Sequence, residues 1–172
     1  MKILITGSTG CLGRNLTNKL LLEEKHQIYA TGRNQEIGKI LENQGVIFQN
    51  ADLQDREAII NLCKDKEIIF HCGALSSPWG KYKDFYEANV LGTKNIIDGC
   101  LRHNVGRLIH VSTPSLYFDF TEKYQIAESS ILPKPVNHYA ATKLAAEKLI
   151  DQAFINHQLP AITIRPRAIF GP

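Results

Sequence analysis

No stretch of the 172-residue chain approaches the roughly 18 consecutive apolar residues that a membrane-spanning helix needs. The opening residues, Lys2-Ile3-Leu4-Ile5 followed by Thr6-Gly7, do not form a secretory signal. The 20 Lys and Arg residues form no basic run and the net charge is only +3, so no dedicated nucleic-acid partner is marked. Cys11, Cys63, Cys72 and Cys100 show neither a C-x-x-C pair nor a His at zinc-ligand spacing. They read as reduced thiols packed in a core, and with the missing signal they predict a cytoplasmic location. His26, His71, His103, His110, His138 and His157 form no H-x-x-x-H or H-E-x-x-H pattern, which excludes a metal-dependent hydrolase, and no metal is expected. Internal repeats and low-complexity segments are also lacking. What is present is 44% apolar and 22% charged, the composition of one globular domain rather than a disordered chain.

Short apolar runs alternate with longer segments of helical period, which predicts an α/β fold with a doubly wound parallel sheet. The predicted strands are Lys2–Thr6, Gln27–Thr31, Val46–Phe48, Ile68–Cys72, Arg107–Val111 and Ala161–Arg165. Helices on both faces are expected from about Gly10 to Glu24, around Ile37–Leu41 and Ile59–Leu62, from Tyr82 to His103, and from His138 to His157. Two segments break the alternation, residues 73–81 and 113–137, each following the carboxyl end of a strand. Loops that long are uncommon unless they shape a site, and open α/β sheets bind ligands at that edge.

Between the first strand and first helix stands Thr6-Gly7-Ser8-Thr9-Gly10-Cys11-Leu12-Gly13. Gly7 makes the tight turn, Gly10 lets the backbone approach a pyrophosphate and Gly13 lets the helix pack against the sheet. The helix N-terminus presents free N–H groups and its positive dipole end to phosphates. This stretch predicts a dinucleotide site, with Cys72, Gly73 and Ala74 after the fourth strand as further lining. After the second strand, Gly32-Arg33-Asn34 has a guanidinium where an acid would select NAD, which favours the 2′-phosphate of NADP; a plain surface charge is the other reading. Asp52-Leu53, after the third strand, would meet the adenine, unless Asp52 is a helix N-cap.

Tyr139 and Lys143, at i and i+4, share one helix face about 6 Å apart along the axis. A free phenol titrates near ~10, too high for a base at neutral pH. An ammonium about 4 Å away favours a phenolate by up to ~4 kcal/mol before desolvation. Ser112-Thr113 end the fifth strand beside the expected crevice, and a hydroxyl there, preferentially Thr113, can hydrogen-bond the substrate oxygen.

The chain resembles the extended short-chain dehydrogenase/reductase family, the NAD-dependent epimerase/dehydratase group. The glycine stretch is similar to its T-G-x-x-G-x-x-G, Asn89-Val90-Leu91-Gly92-Thr93 to its N-V-x-G-T, and Tyr139-Ala140-Ala141-Thr142-Lys143 to its Y-x-x-x-K. Arg165-Pro166-Arg167-Ala168-Ile169-Phe170-Gly171-Pro172 resembles its R-P-x-x-x-x-G-P turn at the nicotinamide end. The resemblance implies a Rossmann fold over 1–172, with Tyr139 as acid/base and Lys143 on the nicotinamide ribose, lowering the phenol's pKa. It further implies Asn89 as an active-site support, Thr113 as the substrate hydroxyl and Arg165 at the cofactor. Hydride would pass between a nicotinamide (NADP preferred, or NAD) and a secondary alcohol or ketone on a nucleotide-sugar or sterol-like small molecule.

Sugar-nucleotide dehydratases carry an Asp-Glu pair after that Thr, whereas this chain has Pro114-Ser115, which argues against water elimination. Ser112–Tyr117 and Ser76-Ser77-Pro78-Trp79-Gly80 look more like the 3β-hydroxysteroid dehydrogenase-like branch. Family members continue well past the R-P…G-P turn into a substrate-binding part that this chain does not include, so weak or absent turnover is expected of these residues alone. A non-catalytic NADP-sensing module is the alternative reading. A homodimer through the helices at 82–103 and 138–157 is an expectation from the resemblance.

Overall fold

A computed structural model describes residues 1–167 and 169–171. Six parallel strands, β1 (Lys2–Thr6), β2 (Gln27–Gly32), β3 (Ile47–Asn50), β4 (Ile68–His71), β5 (Arg107–Val111) and β6 (Ala161–Ile164), form one sheet. Their order is β3-β2-β1-β4-β5-β6. The order reverses between β1 and β4, which opens a crevice at the carboxyl ends of those strands.

Six helices cross over between the strands: α1 (Cys11–Leu21), α2 (Gln35–Asn43), α3 (Arg56–Leu62), α4 (Tyr82–Phe85), α5 (Gly92–Arg102) and α6 (His138–His157). Because side chains alternate along a strand, β1 feeds two cores. Ile3 and Ile5 join Ile28, Ala30 and Leu41 with Leu16 and Leu20 of α1 on one face. Leu4 joins Ile59, Ile69, Ile96, Leu108 and Ile150 on the other, beneath α3, α5 and α6. The predicted doubly wound architecture is therefore the observed one. No helix among the described residues is long and apolar enough to cross a membrane.

Several boundaries differ from the periodicity for local reasons. The first helix stops at Leu21, because the chain turns there and Glu24 takes a left-handed φ of 50°. The third strand starts one residue later and runs to Asn50, since Val46 N–H closes onto Leu41 O at the end of α2 while Asn50 pairs with Gly32. The predicted helix over 82–103 is interrupted: Tyr86–Leu91 forms a wider π turn between α4 and α5. That turn contains Asn89, and π insertions of this kind concentrate at functional sites. The long loop after β5 begins with a single 3₁₀ turn, Pro114–Tyr117, capped by Thr113.

Side-chain oxygens of Asn34, Asp55 and Asn137 cap α2, α3 and α6, accepting from the N–H groups of Ile37, Ala58 and Ala140. Helix α1 starts instead at Gly10, which has no side chain to place over the helix end. Its first turn thus remains open toward the crevice.

Candidate active site

Three backbones meet where β1 ends. Gly7 sits at φ 67°, and a Cβ there would lie 2.6 Å from Gly73 Cα. A Cβ on Gly13 would lie 2.3 Å from Gly7 O. Neither position admits any other residue without moving the backbone, so the turn, α1 and the loop after β4 are held in van der Waals contact. Gly10 N–H donates to Gly7 O (3.0 Å), and the first bond within α1 is Arg14 N–H to Gly10 O (3.0 Å). The N–H groups of Cys11, Leu12 and Gly13 accordingly have no partner inside the helix.

A crevice of about 510 Å³ opens over this turn. Of the residues expected at the cofactor, Gly7, Thr9, Gly10, Cys11, Leu12 and Gly13 line its floor. Arg33, Asp52 and Leu53 line one end, and Cys72, Gly73 and Ala74 line the other. Ser8 does not face the crevice; its buried hydroxyl donates to Thr31 O at 3.0 Å and ties the turn to β2. Thr31, Gly32 and Ala51 also line the crevice, as do Leu75, Ser76 and Ala88. Their signal in the sequence was positional, since the first three are simply the last residues of β2 and the residue following β3.

Asp52 Oδ1 accepts from Gln54 N–H (3.0 Å) and Oδ2 lies 3.8 Å from the Arg33 guanidinium. The α3 cap is Asp55, so the helix-cap reading of Asp52 does not hold. Burial pushes the Cys72 thiol up to about 12, which keeps it protonated as part of the wall.

Beneath the turn lies a buried polar joint. Thr93 O–H donates to Asn89 O (2.7 Å), which leaves Thr93 Oγ1 to accept from His71 Nε2 (3.0 Å). His71 Nδ1 then accepts from Thr6 O–H (2.8 Å), and Thr6 Oγ1 accepts from Gly73 N–H (3.2 Å). This pattern assigns His71 as the neutral Nε2–H tautomer. Burial, reinforced by the Lys143 charge, lowers its pKa to about 3. Asn89 clamps the loop after β4: its Oδ1 accepts from Leu75 N–H (2.7 Å) and its Nδ2 donates to Leu75 O and Thr142 Oγ1 (both 3.1 Å). Thr142 in turn donates to the His138 and Tyr139 carbonyls, so the clamp reaches the first turn of α6.

Tyr139 is half-buried and lines a cavity of about 240 Å³ with Pro78, Trp79, Gly80 and Phe85. Lys143 is 2% exposed, and its amine is held by β5: Nζ donates to Val111 O (2.8 Å) and meets His110 Nε2 (3.3 Å). Burial lowers its pKa to about 8. The i, i+4 spacing gives a shared helix face, but the amine's hydrogen bonds run to the end of β5. Neither Tyr139 nor Lys143 lines the 510 Å³ crevice itself. The loop 73–81 walls both cavities, since Leu75 and Ser76 face the crevice while Pro78 and Trp79 face Tyr139.

Thr113, buried, donates to Ser115 Oγ (3.0 Å) and accepts from Ser115 N–H (3.2 Å), so its hydroxyl holds the 3₁₀ turn. Ser112 Oγ is buried with no hydrogen-bond partner among the described residues. Arg165 departs from its expected place. Its guanidinium makes 2.9 and 2.6 Å bonds to Glu147 and also bonds the Tyr117 hydroxyl. It lines a separate cavity of about 760 Å³, drawn there by the buried carboxylate of Glu147 on α6. Ala168 and Pro172 of the R-P…G-P segment lie outside the described residues. No group of three or more His, Cys, Asp or Glu among the described residues is placed to hold a metal.

A reversed-order parallel sheet with a glycine cradle under an uncapped helix start defines a Rossmann-type fold. The family model of the NAD dependent epimerase/dehydratase family matches residues 3–172, and the chain belongs to that family. It is 36% identical to the 2-alkyl-3-oxoalkanoate reductase of Stenotrophomonas maltophilia (strain K279a), over 100% of this chain and 52% of that protein. It is also 36% identical to a 3beta-hydroxysteroid-dehydrogenase/decarboxylase of Arabidopsis thaliana, over 79% of this chain and 31% of that one. Among solved structures, UDP-glucuronic acid 4-epimerase from Bacillus cereus in complex with UDP-glucuronic acid and NAD superposes with a TM-score of 0.83. The identity there is 26%, covering 100% of this chain and 58% of that one. The chain thus spans about half the length of the curated relatives that match it from end to end.

The buried ionisable groups give stability a signed pH dependence. Lys143 binds its proton more weakly folded than unfolded, so stability rises as pH climbs from about 8 toward the unfolded value of 10.5. Comparing Lys143→Met with the native chain by urea unfolding at about pH 7 and pH 10, the advantage of the variant should shrink by roughly 3 kcal/mol. His71 acts on the acid side. Its neutral form contributes fully above the unfolded value of 6.5, and the contribution fades as pH falls toward about 3. Denaturation of His71→Asn should therefore show a shallower acid loss than the native chain, by about 1.4 kcal/mol per pH unit below the unfolded value.

Proposed function

We propose that this chain binds a nicotinamide dinucleotide across the crevice and contributes the acid/base of a hydride transfer at a secondary alcohol or ketone. The observation that carries the reading is the loop 73–81, which walls the glycine-floored crevice on one side and the Tyr139 cavity on the other. The residues fit such a group. The open first turn of α1 presents N–H groups to a pyrophosphate, and a Cβ at Gly7 or Gly13 would close the approach. Bound there, a reduced nicotinamide supplies hydride to a carbonyl carbon, or its oxidised form accepts one from a carbinol.

Tyr139 then gives its hydroxyl proton to the carbonyl oxygen in reduction, and takes it back in oxidation. Lys143, one turn along the same helix, would hold the nicotinamide ribose. With a pKa of about 8 it is poised to exchange a proton near neutral pH. Asn89 and Thr142 fix the position of the first turn of α6 relative to the loop, and so fix where Tyr139 stands. Ser112, whose buried hydroxyl lacks a hydrogen-bond partner among the described residues, joins Thr113 as a candidate to hold the substrate oxygen. The relatives are named for reduction of an oxoalkanoate, dehydrogenation of a hydroxysteroid and epimerisation of a nucleotide sugar, all of which run through a carbinol or ketone.

For the cofactor we infer a preference for NADP. Arg33 stands at the adenosine end of the crevice without a neighbouring acid on its own strand end, and its contact with Asp52 is a loose 3.8 Å. A 2′-phosphate would give the guanidinium a stronger, charge-assisted partner. Titration of the chain with NADPH and NADH should show tighter binding of NADPH, and Arg33→Ala should weaken NADPH about tenfold while leaving NADH within about twofold. Equal affinity for both would remove the assignment. Tyr139→Phe should cut turnover at least about a hundredfold with dinucleotide affinity unchanged, whereas full activity in that variant would remove Tyr139 as the acid/base.

A further inference from the structure

Trp79 is the single tryptophan of the chain and is 81% exposed. Isolated exposed apolar residues need no explanation, but this one is presented by a built turn. Ser77 O–H donates to Trp79 O (2.8 Å), and Trp79 N–H returns to Ser77 Oγ (3.4 Å). The next residue, Gly80, sits at φ 145°, where a Cβ would lie 3.0 Å from the Phe85 ring. Its carbonyl accepts from His138 Nδ1 at 3.2 Å, which pins the loop to the first turn of α6. His138 is held in turn by edge-on contacts with Tyr82 (5.5 Å) and Phe85 (6.2 Å). The turn is therefore fixed beside Tyr139 and carries the indole on the rim of the cavity that Tyr139 lines.

The chemistry of that cavity is one-sided. Pro78, Trp79 and Phe85 supply hydrocarbon and aromatic faces, and no Lys or Arg is among the described residues lining it. Asn137 Oδ1 is engaged in capping α6 and His138 Nδ1 in holding Gly80. A diphosphate would find no cation here, and a sugar's several hydroxyls would find few partners, leaving them desolvated at a cost. A hydrocarbon flank loses nothing and gains contact with the indole.

We propose that Trp79 and its turn form the wall of a lipophilic subsite, so that the substrate is a ketone or secondary alcohol carrying an extended hydrocarbon group rather than a nucleotide sugar. This rests on Tyr139 acting as the acid/base of the site. The reacting oxygen meets the phenol while the hydrocarbon lies along the indole and the Pro78 ring.

Because the chain has one tryptophan, its emission reports this wall directly. The probes are ethyl 3-oxo esters of increasing length, from the butanoate to the dodecanoate, and UDP-glucose, each titrated with NADPH present. The long esters should shift the emission to the blue and saturate, with affinity rising about twofold to fourfold per added methylene. Substrate dependence of NADPH oxidation should show the same trend in KM. Trp79→Ala should flatten the chain-length dependence of KM by tenfold or more at the dodecanoate, and Trp79→Phe should restore most of it. An emission change that saturates with UDP-glucose alone, or affinities independent of ester length, overturns the proposal. Failure of the functional reading looks different: dinucleotide binding, read from nicotinamide fluorescence, would be absent, or Tyr139→Phe would remain active, whatever Trp79 reports.

Discussion

The site depends on a close approach of backbone to backbone. Gly7, Gly13 and Gly73 come from the end of β1, the start of α1 and the loop after β4, and each leaves room that a side chain would fill. The approach brings the N-terminus of α1 onto the sheet edge with its first N–H groups open, which is the requirement for receiving a phosphate on backbone alone. It also sets the crevice at the one place where strand order reverses, so that neither β1 nor β4 is covered at its carboxyl end. A residue with a Cβ at Gly13 would push α1 away from Gly7 O, and the floor of the crevice would be lost with it.

Close packing of backbone needs support from below, and the buried polar joint provides it. Thr6, His71 and Thr93 link β1, β4 and α5 through hydrogen bonds in which each donor and acceptor is used once. Gly73 N–H ends that chain, so the loop held against Gly7 by shape is also held by Thr6. Asn89 extends the same support to Leu75 and to α6. The π turn that carries Asn89 interrupts an otherwise regular helix, and the wider turn is where that helix reaches both the loop and Thr142. A fully bonded polar network of this sort specifies one arrangement of the elements it joins.

Much of this was legible in the chain itself, because it follows from local rules. Strand runs, the glycine stretch and the caps are read from a few adjacent residues, and β1, β5 and α6 fall where the pattern predicts. What was hidden depends on elements distant in sequence. The spacing of Tyr139 and Lys143 fixes a helix face but not what that face meets, and the end of β5 takes the amine. Arg165 follows a strand on the far side of the sheet, where Glu147 of α6 captures it. Ser8 and Thr9 are neighbours of similar chemistry, yet the first is turned inward to Thr31 O and only the second faces the crevice. The π turn has no compositional mark, since one widened turn shifts the period too little to read against ordinary scatter.

The distribution of ionisable groups follows the same logic. Away from the site the cores are hydrocarbon, with Leu4, Ile69 and Leu108 fully buried. At the carboxyl edge the same sheet buries His71, His110 and Lys143 within one cluster, with the two imidazoles 5.3 Å apart. All three bind protons less readily there than in water, because a low-dielectric interior disfavours the charged form and the lysine's charge disfavours a second one beside it. A fold selected for stability alone would place aliphatic side chains at these positions. That a lysine and two histidines are buried together where the strands end at the crevice points to this edge as the part of the molecule shaped by chemistry, with the hydrocarbon layers beneath supplying the stability it draws upon.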